Sequence, residues 1–507
     1  MKKQQLVCVL ASFAYLLVGA CASEGAGGAT RSGGSGGTPA LGGSTGTGGT
    51  PSDTGGAGAS STGGAPEAGG AGRGGNANTG GAPGTGGAPG TGGNGAGGTG
   101  TGGTSVGGHA GSSASAGAGG SGGRAGGAGP THWVGTWTAS PYYDSANQPP
   151  VSLSNSVLRQ VTHVSIGGSQ LRVQFSNLFG NGPVTIKSAH IALCKAAPLV
   201  DSTIDTTTDT PLVFAGAASV TIAQGQEAWS DPVSFTVAAL GNVTVTTAFG
   251  NVPSQVTGHS GSRTDSYIQT GSSTVTAASM TSATSTEHWY FISGIDVMAP
   301  ASYEAAVAIG DSITDGRGSD INKNDRWTDD LSARMQAMGA TSNVAMLNQG
   351  IGATDLVGTG TAAQARYSRD VLGQDGVRYA IIYDGVNDIL GGASFDSMKT
   401  VYASLISQGH GKGLLVYGAT ITPFGAYSGY TAAHESVRQQ VNTYIKSGAF
   451  DGYLDFDAAV TDGGNPPKLQ SQYATWTSAD GSGDGLHPSP AGYQKMAGSV
   501  DLTLFAK

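Results

Sequence analysis

The residues best placed to do chemistry stand in four short clusters in the second half of this 507-residue chain. The first is Gly310-Asp311-Ser312-Ile313-Thr314-Asp315-Gly316, and the last is Asp484-Gly485-Leu486-His487-Pro488. A serine hydroxyl is a poor nucleophile until a base removes its proton, and the base needs a carboxylate to orient it. Asp484 and His487, three positions apart on a loop that runs into a helix, meet that requirement for Ser312, and Pro488 stiffens the backbone beside them. The two middle clusters answer the next need, donors for the negative charge that acyl transfer develops on the substrate oxygen. Asp384-Gly385-Val386-Asn387-Asp388 offers the amide of Asn387. Asn348-Gln349-Gly350-Ile351-Gly352-Ala353-Thr354 has side chains small enough to let a backbone N–H approach. With the N–H of Ser312 that makes three donors, and the loss of one such donor typically costs about 10²–10³ in rate. Any single cluster also fits a turn or a helix cap; four in order do not reduce to that reading.

The elements that must hold these clusters change character near Pro300. After it come short, nearly continuous apolar runs, Ala305–Ile309, Val344–Leu347, Tyr379–Tyr383 and Leu414–Tyr417, which suit strands covered on both faces. Between them, Arg326–Met338, Ser394–Gln408 and Ala432–Lys446 read as helices. Strand and helix in alternation predict a parallel sheet with helices on both sides, whose active groups sit at the carboxyl ends of the strands. From Trp133 to Pro300 the period is two instead. Gln170–Ser176 alternates polar and apolar as a strand with one wet face does, and 183–187, 233–237 and 243–246 repeat the theme, which predicts an antiparallel β-sandwich.

The four clusters resemble the blocks of the SGNH, or GDSL, hydrolase family: GDSIT at 310–314, NQGIGA at 348–353, GVND at 385–388 and DGLH at 484–487. The resemblance covers 301–507. It implies a flavodoxin-like three-layer α/β/α fold, Ser312 as nucleophile, His487 as base and then acid, Asp484 as its orienting group and Asn387 as the side-chain donor of the oxyanion hole. The family's second-block donor is usually Gly; the aligned residue here is Ala353, preceded by Gly352, so the backbone donor is assigned to Gly352 or Ala353. Asp315–Ser319, Asn324–Trp327 and Asp370–Leu372 further resemble the branch that includes xylan-associated esterases, several of which carry an N-terminal β-domain. That implies removal of acetyl groups from a carbohydrate such as acetylated xylan, with no cofactor and no metal. A lipase or lysophospholipase is the alternative within the family, and a surface binding protein with a vestigial esterase domain is the alternative outside it. Arg317 and Arg326 are read either as ligands for a carboxylated substrate or as helix surface charge.

The amino-terminal part carries no such chemistry but bears on location. Lys2 and Lys3 precede an apolar run from Leu6 to Val18 that ends in Val18-Gly19-Ala20-Cys21, the pattern of an export signal. The last four residues resemble a lipobox, with Cys21 as the lipidated residue, and Ala22 in place of Asp favours the outer membrane or cell surface over the inner membrane. More than half of the 89 glycines lie before Pro130, in a stretch unable to bury enough apolar surface to fold. As a flexible coil of about 109 residues it spans roughly 55–60 Å. The organisation expected is thus a signal at 1–20, a Gly-rich tether at 21–130, a β-sandwich at 131–300 and the hydrolase domain at 301–507.

A formal charge of −9 with 11% charged residues leaves no basic stripe for phosphates, which argues against nucleic acid as a partner. The histidines of the β-region, His163, His190, His259 and His288, are scattered and read as surface or satisfied core residues. Trp133, Trp137, Trp289 and Tyr290 are read as core or domain-interface packing in preference to a sugar platform.

Overall fold

The computed structural model describes residues 130–195, 201–474 and 483–506, all within the compact unit Ala116–Lys507. The export signal and tether expected at 1–20 and 21–130, with Cys21, fall on residues outside the described ones, apart from Pro130.

Besides a two-stranded sheet that pairs Gly258–His259 with Trp289–Tyr290, residues 131–300 build two large antiparallel sheets. In one, Ile292–Pro300 is flanked by Thr131–Thr138 and Gly168–Ser176, and the latter also pairs with Glu227–Trp229 and Val233–Val237. The other follows the order Thr284–Thr286, Ser266–Gln269, Val157–His163, Asn242–Phe249, Val184–Leu193, Thr210–Leu212, with Val220–Ile222 also on Val184–Leu193. Gly168–Ser176 alternates as its sequence requires: Leu171, Val173 and Phe175 are buried, while Arg172 and Gln174 face outward. Asn242–Phe249 departs from the wet-faced strand expected of Val243–Thr246, because all of its residues are buried. Its threonine face is covered by the segments around Ser202 and Ala277. The fully buried Arg159 reaches between them and donates to Thr246 Oγ1 at 2.9 Å and to the carbonyls of Ser202 and Ala277 at 2.6 and 2.7 Å. Threonine is small and apolar enough to be enclosed, here with Thr246 partnered by Arg159 and the Thr244 hydroxyl buried without a partner, so alternation alone does not reveal a second covering layer.

From Glu304 onward the chain forms a five-stranded parallel sheet ordered Val344–Gly350, Glu304–Gly310, Val377–Tyr383, Leu415–Ala419, Gly452–Leu454. The helices Trp327–Ala337, Phe395–Gly411, Ala432–Tyr444 and Pro490–Ser499 accompany it, the last three capped by the hydroxyls of Ser394, Thr431 and Ser489. The chain starts in an inner strand, moves to one edge and then crosses to the other side. The order therefore reverses between Glu304–Gly310 and Val377–Tyr383, and the crevice at their carboxyl ends is where such sheets place ligands.

The two halves share one continuous hydrophobic core that includes Val134, Leu171 and Ile295 as well as Val307, Ile381 and Tyr417. Strand Thr131–Thr138 lies close beside Val344–Gly350: a Cβ on Gly135 would stand 2.8 Å from Leu347 Cδ1, and Thr138 Oγ1 donates to the Asn348 carbonyl at 3.2 Å. The aromatic residues of the β-half are packing groups. Trp137 and Trp289 meet edge to face at 4.9 Å and are buried, as is Tyr290, while Trp133 and Trp229 enclose the Arg172 guanidinium at 4.6 and 4.2 Å.

Candidate active site

Strand Glu304–Gly310 runs into a single turn, Ser312–Asp315. Asp311 caps it, accepting from the Ile313 N–H at 2.9 Å, and Gly316 closes it at φ 98°, a conformation that favours glycine. The turn packs so tightly on the second block that a Cβ on Gly350 would fall 2.2 Å from the Asp315 nitrogen.

Ser312, His487 and Asp484 lie in one hydrogen-bonded chain. Ser312 Oγ is 2.7 Å from His487 Nε2, and His487 Nδ1 is 2.5 Å from Asp484 Oδ2. Asp484 Oδ1 also accepts from the backbone N–H groups of Leu486 and His487 at 3.0 and 2.9 Å. Burial works to raise the Asp484 carboxyl, but the hydrogen bonds from the His487 ring and backbone outweigh it and hold the group well below the usual carboxylate range. The arrangement keeps Asp484 charged, sets His487 with Nδ1 protonated and leaves Nε2 to take the serine proton.

The donor loops are tied to each other. Asn387 Nδ2 donates to the Thr354 carbonyl at 2.8 Å, and the Asp388 carboxylate accepts from Leu356 and Val357 N–H at 2.6 and 2.9 Å. The third block is thereby fastened to the loop that carries Gly352 and Ala353. Ala353 stands at φ 59°, the left-handed region in which glycine is normally found, which is the physical reason a glycine suits this position.

Beneath Ser312 is a group of buried acids that the sequence reading passed over. Burial lifts the Asp311 carboxyl to about 7, with the charge of Asp388 adding to the shift and the Ile313 N–H and Arg366 opposing it. Asp384, at the end of Val377–Tyr383, is fully buried, and neither of its carboxyl oxygens meets a donor in good geometry. Burial first, and then the charge of Asp311, push it well above the ordinary value. Their signal in the sequence was only a polar residue closing each apolar strand.

Arg326 is not a surface charge. It is buried, donates from Nε to the Asp315 carbonyl at 3.0 Å, pairs with Asp329 at 3.2 Å and also donates to the Ser262 carbonyl. It clamps the Ser312 turn to a loop of the β-half, a partner 64 positions away that sequence spacing does not disclose. Arg317 is exposed, and its carbonyl accepts from Tyr493 Oη at 2.6 Å. Of the scattered histidines, His163 meets Asn242 Oδ1 at 2.7 Å, His190 meets Asp209 at 2.8 Å and His288 meets the Ser260 carbonyl at 2.7 Å. His259 instead contacts Asp315 at the foot of the site.

Residues 308–495 match the model of the GDSL-like Lipase/Acylhydrolase family. No curated protein matches the chain. Among solved structures, the chain is similar to a GDSL-like lipase from Bacteroides thetaiotaomicron, at 19% identity over 39% of this chain and 85% of that one, with a TM-score of 0.29. A member of the lipolytic protein G-D-S-L family from Veillonella parvula matches at 19% identity over 39% and 95%, with a TM-score of 0.28. An acetyl xylan esterase from Geobacillus stearothermophilus matches at 20% identity over 39% and 92%, with a TM-score of 0.30. The matched stretch, which contains Ser312, Asn387, Asp484 and His487, is thus similar to a GDSL-like lipase/acylhydrolase domain, and the class it points to is the ester hydrolases.

Proposed function

We propose that the protein is a carboxylic-ester hydrolase that works through an acyl-serine intermediate and removes acetyl groups from a carbohydrate such as acetylated xylan. The observation that carries the reading is the chain of contacts Ser312 Oγ to His487 Nε2 at 2.7 Å and His487 Nδ1 to Asp484 at 2.5 Å. As Ser312 Oγ attacks the ester carbonyl, its proton passes to Nε2, and Asp484 steadies the imidazolium that forms. The tetrahedral oxyanion is held by the N–H of Ser312, a backbone N–H of the Gly352–Ala353 pair and the Asn387 amide. His487 returns the proton to the departing alcohol oxygen; water then repeats the sequence on the acyl-serine, releasing the acid and restoring Ser312.

The depression beside Gly485 mixes polar side chains, Asp462, Lys468, Gln470 and Gln472 among them, with the apolar Leu469 and Ala474, so it offers partners for hydroxyl groups beside an apolar wall. The apolar recess between Phe395 and Tyr444 contains none of the site residues in its lining. A lipid anchor on Cys21 and the Gly-rich tether would place the enzyme on the outer membrane or cell surface, within reach of a polymer that cannot enter the cell.

The test is acetate release from acetylated xylan by the full chain, beside Ser312→Ala and with p-nitrophenyl acetate and p-nitrophenyl decanoate as reporters. Serine-dependent acetate release with preference for the acetate ester is expected. Preference for decanoate with xylan untouched would replace the reading with a lipase.

A further inference from the structure

The β-sandwich half reaches the active site through a side chain that the proton relay does not use. His259 lies on the short strand Gly258–His259; its Nδ1 is 2.9 Å from the Ser140 carbonyl and its Nε2 is 3.0 Å from Asp315 Oδ1. A carbonyl only accepts, so Nδ1 carries a hydrogen, and the second contact closes with one further proton between Nε2 and the carboxylate. The side chains of His259 and Asp315 are 5% and 3% exposed, so this contact is shielded from water and salt.

Asp315 ends the turn that Ser312 begins, and its carboxylate lies between the two halves of the molecule. A Cβ on Gly352 would stand 3.3 Å from Asp315 Oδ2, and a Cβ on Gly261 only 1.9 Å from the same oxygen. Loop 258–263 is thus pressed against one side of the carboxylate and the donor loop against the other. Ser140 supplies a second limb from its hydroxyl, which donates to Asp370 Oδ2 at 2.5 Å. Asp370 pairs with Arg366 at 3.1 Å, and Arg366 donates to the carbonyls of Gly310 and Gln349 at 2.8 and 2.5 Å. Two buried polar limbs therefore leave Ser140, one ending on the last residue of the serine turn and the other just before the corners that present Ser312 and Gly352.

We propose that His259 is a positioning residue for ester hydrolysis: through Asp315 it fixes the Ser312 turn against the Gly352–Ala353 loop, so that residues 130–300 complete the active site. The inference rests on the serine-esterase reading above. The nucleophile and its backbone donor come from different strands, and a misplacement of about 1 Å costs on the order of 10²-fold in rate. His259 lies behind the turn and does not touch the reacting atoms, so its loss acts on kcat and leaves KM in place.

The experiment uses the full chain with His259→Ala, Asp315→Asn, the double variant and Ser312→Ala. Hydrolysis of p-nitrophenyl acetate is referred to active sites counted with a serine-reactive phosphonate, and Tm is measured alongside. Each single variant is expected to lower kcat per titrated site by about tenfold or more with KM within about twofold, and the double variant to be no worse than Asp315→Asn, because His259 acts through Asp315, whose carboxylate also faces Arg263 at 3.8 Å. Wild-type kcat per titrated site in both single variants, or losses that multiply in the double variant, overturns the proposal. If His259→Ala does not fold, the nearly isosteric Asp315→Asn decides the matter by the same kcat criterion. An active Ser312→Ala variant refutes the serine mechanism itself; a dead Ser312→Ala beside a fully active His259→Ala refutes only the positioning role.

Discussion

His487 Nε2 lies 2.7 Å from Ser312 Oγ although 175 positions separate the two residues. The contact exists because the loop after Gly483 brings the chain back over the carboxyl end of the first parallel strand, just before the helix Pro490–Ser499 begins. A nucleophile and base joined in this way act as a unit. Ser312→Ala is expected to lower turnover of p-nitrophenyl acetate by at least about 10³ with an unchanged Tm. Asp484→Asn, which leaves the shape but alters what His487 Nδ1 meets, is expected to cost on the order of 10⁴ in kcat. Activity near wild type in either variant, checked on protein with a native thermal transition, sinks the relay.

Asn387 is half-buried and donates to the Thr354 carbonyl at 2.8 Å, a contact that fixes its amide plane; in the proposed mechanism its other N–H meets the substrate oxygen. Asn387→Ala is therefore expected to lower kcat by about 10²–10³ while KM changes little, since the oxyanion exists only in the transition state. A rise in KM at constant kcat would assign Asn387 to ground-state binding instead.

Ala353, at φ 59°, occupies a conformation that costs a residue with a Cβ about 1–2 kcal/mol. Glycine there removes the strain and keeps the N–H, so Ala353→Gly should retain kcat within about twofold. A β-branched side chain is far less tolerant of this region. Ala353→Val is expected to lower both Tm and kcat, and kinetics that do not distinguish the two variants would show that this dihedral is immaterial to the donor loop.

The hydrolase half was legible in the sequence where one physical requirement dictated several residues at once. Apolar runs bounded by glycine and polar corners specify buried parallel strands, and the chemistry of acyl transfer specifies what must stand at their ends; Ser312, Asn387 and His487 all follow a strand or precede a helix. What was not legible depended on which surfaces meet. Val243–Thr246 alternates as a half-exposed strand does, yet Arg159 and the segments over it enclose the threonine face. Arg326 opens a helix and reads either as a ligand for a carboxylated substrate or as surface charge, but the β-half supplies the Ser262 carbonyl on which its buried guanidinium is held. His259 looked unremarkable because its partner, Asp315, lies 56 positions further on and in the other half of the molecule. Period and spacing report a segment's own faces; they carry no record of the partner that covers them.

Asp384 gives a prediction in which stability, not rate, is the readout. It is fully buried with neither carboxyl oxygen well partnered, and burial together with the Asp311 charge holds its folded-state affinity for a proton well above the ordinary value; Asp311 itself is raised to about 7. A folded value above the unfolded one means that the protonated acid favours the folded state. Its contribution is complete below the unfolded value of about 4 and is lost as pH rises through the folded one. Asparagine has nearly the same shape and does not ionise. Wild type and Asp384→Asn should therefore differ least in melting temperature at about pH 4, the gap should open as pH rises, and the variant should melt several degrees higher at pH 9, where the native acid is forced to carry charge in a dry site. Melting curves that stay parallel from pH 5 to pH 9 would mean that the buried acid finds compensation at high pH, and Arg366, whose charge opposes the shift at both acids, is the group that would supply it.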